Sequence, residues 1–385
     1  MWTVRRTSTP HIDQVAEIID RSDETPLALC GHSYGGMVIA GVADRLGDRL
    51  DQLVLIDAYV PDDGDSWWSS TSDSFRESFI AGIRADLAPT YFSSAGPEAI
   101  DAAVATAREL RTLDPRITAS LGPHATYTVS DDDLRCTADI AQSEGFRIHL
   151  HAAETDDQTR SSLDKHGVTP MQVLERTGVL EAGALIAHGC GIRESDLPIL
   201  ERYADRTAVA SCPKVYLKLA MGEVTPIKDL RSVGVRVGVG TDGAAAHNTL
   251  DVRESLRMVA LTQKQRERDA EWMTLSDTLR LATRGGAAAA GLADRIGALE
   301  PGRQADIALV DLSGPHNQPL HDARAALVYS VRPSDVVTVL VDGRVVVRNR
   351  ELTTIDLPEV LAEAQSLAHT LVDLSQGGAV QHYAP

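Results

Sequence analysis

Short apolar runs alternate with amphipathic stretches from Pro26 onward, and this rhythm restricts the fold more than any other feature of the chain. Eight runs read as strands, at 27–30, 53–56, 83–87, 117–121, 147–151, 184–188, 207–211 and 235–241. Between them, helices are predicted at 36–46, 98–110, 131–142, 169–176, 195–204 and 227–233, with Ser130 and Ser195 as N-caps, and then at 250–268 and 276–290. Strands and helices in strict alternation make a parallel sheet, and eight such units can close into an α/β barrel of the (β/α)8, TIM-like kind, atypical at its first two strands. From residue 296 the period changes to short strands at 307–310, 336–341 and 344–347, the last two joined by the hairpin signal Asp342-Gly343. A small β appendage is expected there, followed by a helix at 357–372 and a frayed tail at 375–385.

A chain of 385 residues with 43% hydrophobic content can bury the core of a full barrel. Its formal charge of −18 leaves no basic surface for phosphates, so nucleic acid and anionic membranes are poor partners and a small neutral or cationic substrate fits better. Cys30, Cys136, Cys190 and Cys212 show no C-x-x-C spacing and lie beside apolar runs, so reduced, buried thiols are expected. The first residues carry two arginines without an apolar segment behind them, and no run reaches membrane-spanning length. A cytoplasmic protein is expected, with a homo-oligomer as one option.

Several predicted strands end in a titratable residue. His151, with Glu154 three residues on, follows the run at 147–151; His188 closes 184–188; Asp242 follows 235–241. A parallel barrel delivers such residues to one rim, where two imidazoles and two carboxylates can hold a divalent ion and still leave a group to move protons. Each has a plainer explanation: His188 as a buried neutral imidazole, Asp242 as a helix N-cap. His149 shares the face of His151 and reads as a core histidine before it reads as a ligand.

Taken together, Leu121-Gly122-Pro123-His124, His149-Leu150-His151-Ala152-Ala153-Glu154, Ala187-His188-Gly189-Cys190, Ser211-Cys212-Pro213, Leu217-Lys218-Leu219-Ala220-Met221-Gly222, Gly240-Thr241-Asp242-Gly243 and Leu299-Glu300-Pro301-Gly302 resemble the amidohydrolase superfamily. The resemblance runs from about residue 79 to 352. It is specifically to the branch of methylthioadenosine/S-adenosylhomocysteine deaminases, chlorohydrolases and cytosine-deaminase-like enzymes. It implies one divalent metal, zinc foremost with iron or manganese as alternatives, and a small N-heterocyclic substrate. It also implies His151 and Asp242 as metal ligands, Asp242 also taking a proton from the attacking water. Glu154 would pass a proton to the ring nitrogen and leaving amine, His188 would orient water or substrate, and His124 would bind the substrate. The family's His-x-His on the first strand is missing, and Val215-Tyr216 stand where the family often has Ser-Asn.

The front end instead carries Gly31-His32-Ser33-Tyr34-Gly35, a G-x-S-x-G pattern that, with the segment around residues 53–61, resembles the middle of a small α/β-hydrolase esterase over about 12–68. Ser33 is thereby an alternative nucleophile, although no later segment resembles the acid and histidine that would activate it. His32, at the end of the first strand, is a candidate replacement for the lost ligands, or a packing residue of the elbow. The expected organisation is a hydrolase-like β-α-β segment at 1–76, a barrel portion at 77–295, the β appendage at 296–352, and the helix and tail at 353–385. The expected activity is metal-dependent hydrolytic deamination of an adenosine-like or other N-heterocyclic compound. A serine esterase and a catalytically impaired chimeric remnant are the alternatives.

Overall fold

A computed structural model describes the backbone of residues 28–33, 52–58, 91–92 and 96–372, and the side chains of residues 99–365. The expected helix at 36–46, the strand at 83–87, the tail at 375–385 and the side chains of Cys30, His32 and Ser33 lie outside the described residues. Two compact units are present, one of Met1–Leu87 with Ile355–Pro385 and one of Ala88–Thr354.

In the first unit, β1 (Ala28–Ser33) and β2 (Gln52–Ala58) pair in parallel, Leu29 against Leu53 and His32 against Ile56. Parallel pairing requires a crossover between the strands, which is what the sequence rhythm there implies. A C-terminal helix at Leu357–Val372 matches its expected span and lies against β2.

The second unit holds six parallel strands in chain order: β3 (Tyr91–Phe92), β4 (Ser120–Pro123), β5 (Arg147–Ala152), β6 (Ala184–His188), β7 (Ala208–Ser211) and β8 (Arg236–Val239). Helices α1 (Gly96–Leu113), α2 (Asp131–Glu144), α3 (Asp156–His166) and α4 (Pro170–Arg176) fall in the connections between these strands. One face of the sheet carries Ile148, Leu150, Ile186, Val209 and Val237, buried against Leu134, Ala138, Met171 and Leu174 of the helices. Each Å² of apolar surface that this face removes from water stabilises the fold by roughly 25 cal/mol. The opposite face of β5 carries His149 and His151.

Local chemistry sets the helix ends. Ser130 caps α2, its side chain accepting from the Asp133 N–H, and Gly145 closes the helix in the left-handed conformation. Ser195 is not a cap: the helix expected at 195–204 splits into a 3₁₀ turn, Glu194–Asp196, and a short helix, Leu197–Arg202. The Asp196 carboxylate accepts from the Arg193 N–H and from the Thr169 hydroxyl, which fixes the 3₁₀ turn ahead of the helix. The strand expected at 117–121 begins at Ser120, because Asp114 and Arg116 close a turn ahead of it and leave Ile117 exposed. Cys136, expected to be buried, is exposed, because the inward face of α2 is already filled by Leu134, Thr137, Ala138 and Ala141.

The appendage is a four-stranded antiparallel sheet ordered β12 (Glu351–Leu352), β11 (Arg344–Arg348), β10 (Val336–Val341) and β9 (Ile307–Val310). At its hairpin Asp342 and Gly343 both take positive φ, 49° and 75°, as a two-residue turn with the twist of the flanking strands requires.

Candidate metal centre

His151 lies near the end of β5. The carbonyl of His124 accepts from its backbone N–H at 2.9 Å and faces its ring Nδ1 at 2.8 Å. A carbonyl can only accept, so Nδ1 carries the proton and Nε2 keeps its lone pair for a ligand. His124 in turn contacts the Thr128 hydroxyl through Nδ1 at 2.8 Å and meets the His151 ring edge-on at 5.0 Å.

His188 reaches the same place by an irregularity. In the β5–β6 register His151 pairs with Ala187 and Ala152 with His188, so strict alternation would send the two imidazoles to opposite faces of the sheet. His188 instead takes φ 72°, a left-handed conformation that costs a side-chain-bearing residue about 1–2 kcal/mol. That turn brings its ring to within 5.4 Å of the His151 ring, nearly parallel at 19°. Asp242, beyond β8, is also left-handed at φ 66°. One of its carboxylate oxygens accepts from the Gly243 N–H at 2.6 Å and the other stands 3.9 Å from His188 Nε2. Strained non-glycine backbone gathered at one set of strand ends marks a place where geometry is held against local preference.

His151, His188 and Asp242 each offer a ligand atom, and these atoms lie within 4.8 Å of one another. Their chemistry suits a divalent cation. His188 is only 1% exposed, its Nδ1 is buried without a hydrogen-bond partner, and its Nε2 is too far from Asp242 for a hydrogen bond. Burial lowers the His188 pKa; the carboxylates of Glu154 and Asp242 oppose that, and the His151 ring adds to it. A lowered imidazole pKa keeps the ring neutral at pH 7, which is the form a metal requires.

Glu154 lies past the end of β5 and is clamped by Gln158, whose amide accepts from the Glu154 N–H at 2.9 Å and donates to Glu154 Oε2 at 3.1 Å. Thr155 caps α3 by accepting from the Gln158 N–H, so a helix start and a carboxylate orientation are set by one residue. Gly191 presses the turn after β6 onto this segment: its N–H donates to the Ala153 carbonyl at 2.7 Å, and an added Cβ would fall 2.2 Å from the Thr155 carbonyl oxygen. Only glycine permits that approach.

Four of the site residues named from sequence thus come together: His124, His151, His188 and Asp242. Glu154 sits at the adjoining turn and contributes to the His188 environment. His188, read from the resemblance as an orienting group, stands with the ligand candidates, because the left-handed turn carries its ring across the sheet. Asp242 is not a helix N-cap; Gly243 holds that position for the short helix Ala244–His247. His149 stands outside the three-residue group, on the face of β5 opposite Ile148 and Leu150; its side chain reaches solvent, yet desolvation still lowers its pKa to about 4. The sequence alone gives no functional role to Tyr216 or Thr225, whereas Gln158 has a signal, being four residues from Glu154 at the start of a helix.

A pH dependence follows from the same burial. The His124 pKa is lowered from 6.5 to about 4, by desolvation first and by His151 second, and that of His188 is lowered as well. Both rings stay neutral in the fold where the unfolded chain would be protonated, so the unfolded state takes up protons first as pH falls. Stability of the metal-free protein is therefore full above about pH 6.5 and declines towards about pH 4. Urea midpoints measured across that window check this, and a midpoint that does not move would contradict it.

Comparison with known proteins sets this geometry in context. The chain matches the amidohydrolase family over residues 73–346. It is 40% identical over 296 residues to a 5-methylthioadenosine/S-adenosylhomocysteine deaminase of Pelotomaculum thermopropionicum, covering 76% of this chain and 67% of that protein. A protein of the same name from Natronomonas pharaonis is 36% identical over 342 residues, covering 86% and 77%. Among solved structures, an adenosine deaminase from Xanthomonas campestris with bound zinc superposes with a TM-score of 0.66 at 28% identity, covering 94% of this chain and 75% of that one. An atrazine chlorohydrolase of Arthrobacter aurescens complexed with zinc superposes at 0.64 with 23% identity, a likeness of fold.

Proposed function

The chain belongs to the amidohydrolase family, and from that premise we propose that it is a metal-dependent hydrolase that deaminates an N-heterocyclic substrate, an adenosine-type compound foremost. The observation that carries this reading is the convergence of His151, His188 and Asp242 within 4.8 Å, beside a clamped Glu154. His151, Asp242 and His188 would hold the ion, zinc foremost, with iron or manganese as alternatives. Bound there, such an ion would lower the pKa of water to about 7 and so supply a nucleophile at neutral pH.

The remaining work falls to side chains. The carboxylate of Asp242, one oxygen of which accepts from the Gly243 N–H, would take the proton that the attacking water gives up. Oxygen adds to the ring carbon that bears the amine. Glu154 gives a proton to the neighbouring ring nitrogen, is reloaded with the one that Asp242 took from the water, and passes that to the leaving nitrogen; the carbon–nitrogen bond breaks, ammonia departs, and the hydroxyl proton of the adduct returns to Glu154 as the carbonyl forms. Gln158 holds the Glu154 carboxylate for that transfer. His124, next to His151 and backed by Thr128, would contact the substrate ring or its sugar.

Zinc-loaded protein offered adenosine, 5-methylthioadenosine and S-adenosylhomocysteine should release ammonia from at least one, with kcat/KM of about 10⁴ M⁻¹s⁻¹ or more. Loaded protein that releases none from any of the three overturns the reading of the substrate class.

A further inference from the structure

Tyr216 and Thr225 take no part in the chemistry above, yet both reach the strand end that carries His188. We infer that they are positioning residues whose hydroxyls latch the His188 carbonyl and hold the left-handed turn that swings the imidazole to His151 and Asp242. The inference rests on the proposed metal site for its consequence, and on backbone geometry for its substance.

The turn needs a restraint. His188 and Gly189 both have positive φ, 72° and 62°, and a regular β6 would carry the imidazole to the face of Ile186, under the helices. The hydroxyl bonds form a continuous chain. The Cys212 N–H donates to the Tyr216 hydroxyl at 2.7 Å, the Tyr216 and Thr225 hydroxyls are 3.1 Å apart, and Thr225 donates to the His188 carbonyl at 2.7 Å. The Tyr216 hydroxyl is itself 3.5 Å from the same carbonyl. Thr225 is tied from behind, where the buried Gln263 amide donates to its carbonyl at 2.9 Å. Tyr216, Thr225 and Gln263 are each at most 2% exposed, so water is a poor substitute for these bonds. The Tyr216 ring also meets the His188 ring edge-on at 5.8 Å. The chain therefore joins the end of β7 to the end of β6 at the residue whose backbone departs from strand geometry.

The test uses Tyr216→Phe, Thr225→Val and Thr225→Ser, with zinc affinity read by chelator competition beside the melting temperature. Thr225→Val should weaken zinc binding about 10- to 100-fold and Tyr216→Phe about 3- to 10-fold, while Thr225→Ser restores wild-type affinity. Folded Thr225→Val and Tyr216→Phe proteins that bind zinc as tightly as wild type overturn the inference; should Thr225→Val not fold, Tyr216→Phe decides alone. Should the wild type take up no zinc, iron or manganese, the proposed function fails by itself. The latch is then read in metal-free protein from the His188 imidazole ¹⁵N signals, which shift or broaden in Tyr216→Phe if the latch is real and stay unchanged if it is not.

Discussion

Asp242→Asn is expected to cut deamination by at least about a thousandfold while leaving the fold intact. The two side chains have the same shape, and asparagine tolerates the left-handed conformation that residue 242 adopts at φ 66°. The oxygen that accepts from the Gly243 N–H can be kept by the amide. What is lost is the negative charge facing His188 Nε2 at 3.9 Å and the capacity to take a proton. Zinc affinity should fall with activity, and the melting temperature should move by only a few degrees. Native rates of ammonia release from this variant would refute the role given to Asp242.

Glu154→Gln separates proton transfer from metal binding. The loss in kcat should be about 10²- to 10⁴-fold, the usual worth of a positioned general acid, with zinc content unchanged because Glu154 lies outside the three-residue group. The glutamine amide can still meet Gln158 across the 3.1 Å bond by presenting its oxygen, so the turn after β5 should hold. Equal loss of zinc and of activity would instead place Glu154 among the ligands.

Much of this was legible in the sequence. The runs at 147–151 and 184–188 have the length and apolar content of strands buried on one face, and they form β5 and β6 within one residue of their expected ends. The Asp342-Gly343 hairpin and the helix Leu357–Val372 follow from turn chemistry and helical period alone. What the sequence hides is any place where tertiary bonds override a local rule. Alternation predicts that His188 faces away from His151, and the left-handed backbone that turns it back leaves no mark in the local pattern. Tyr216 stood out as a departure from the family pattern, with no sign that its hydroxyl would bridge two strand ends. The helix at 276–290 reads as continuous, but it is interrupted by a π-turn at Leu281–Gly285, a change of hydrogen-bond register that periodicity cannot express.

The central claim is that the strand ends carrying His151, His188 and Asp242 bind a divalent cation. Elemental analysis of the purified full chain, incubated with zinc, iron or manganese and then desalted, tests it most directly. The account predicts about one ion per chain in the wild type and little in a His151→Ala, Asp242→Ala double variant that remains folded. A folded wild-type protein that emerges metal-free after every incubation would contradict it.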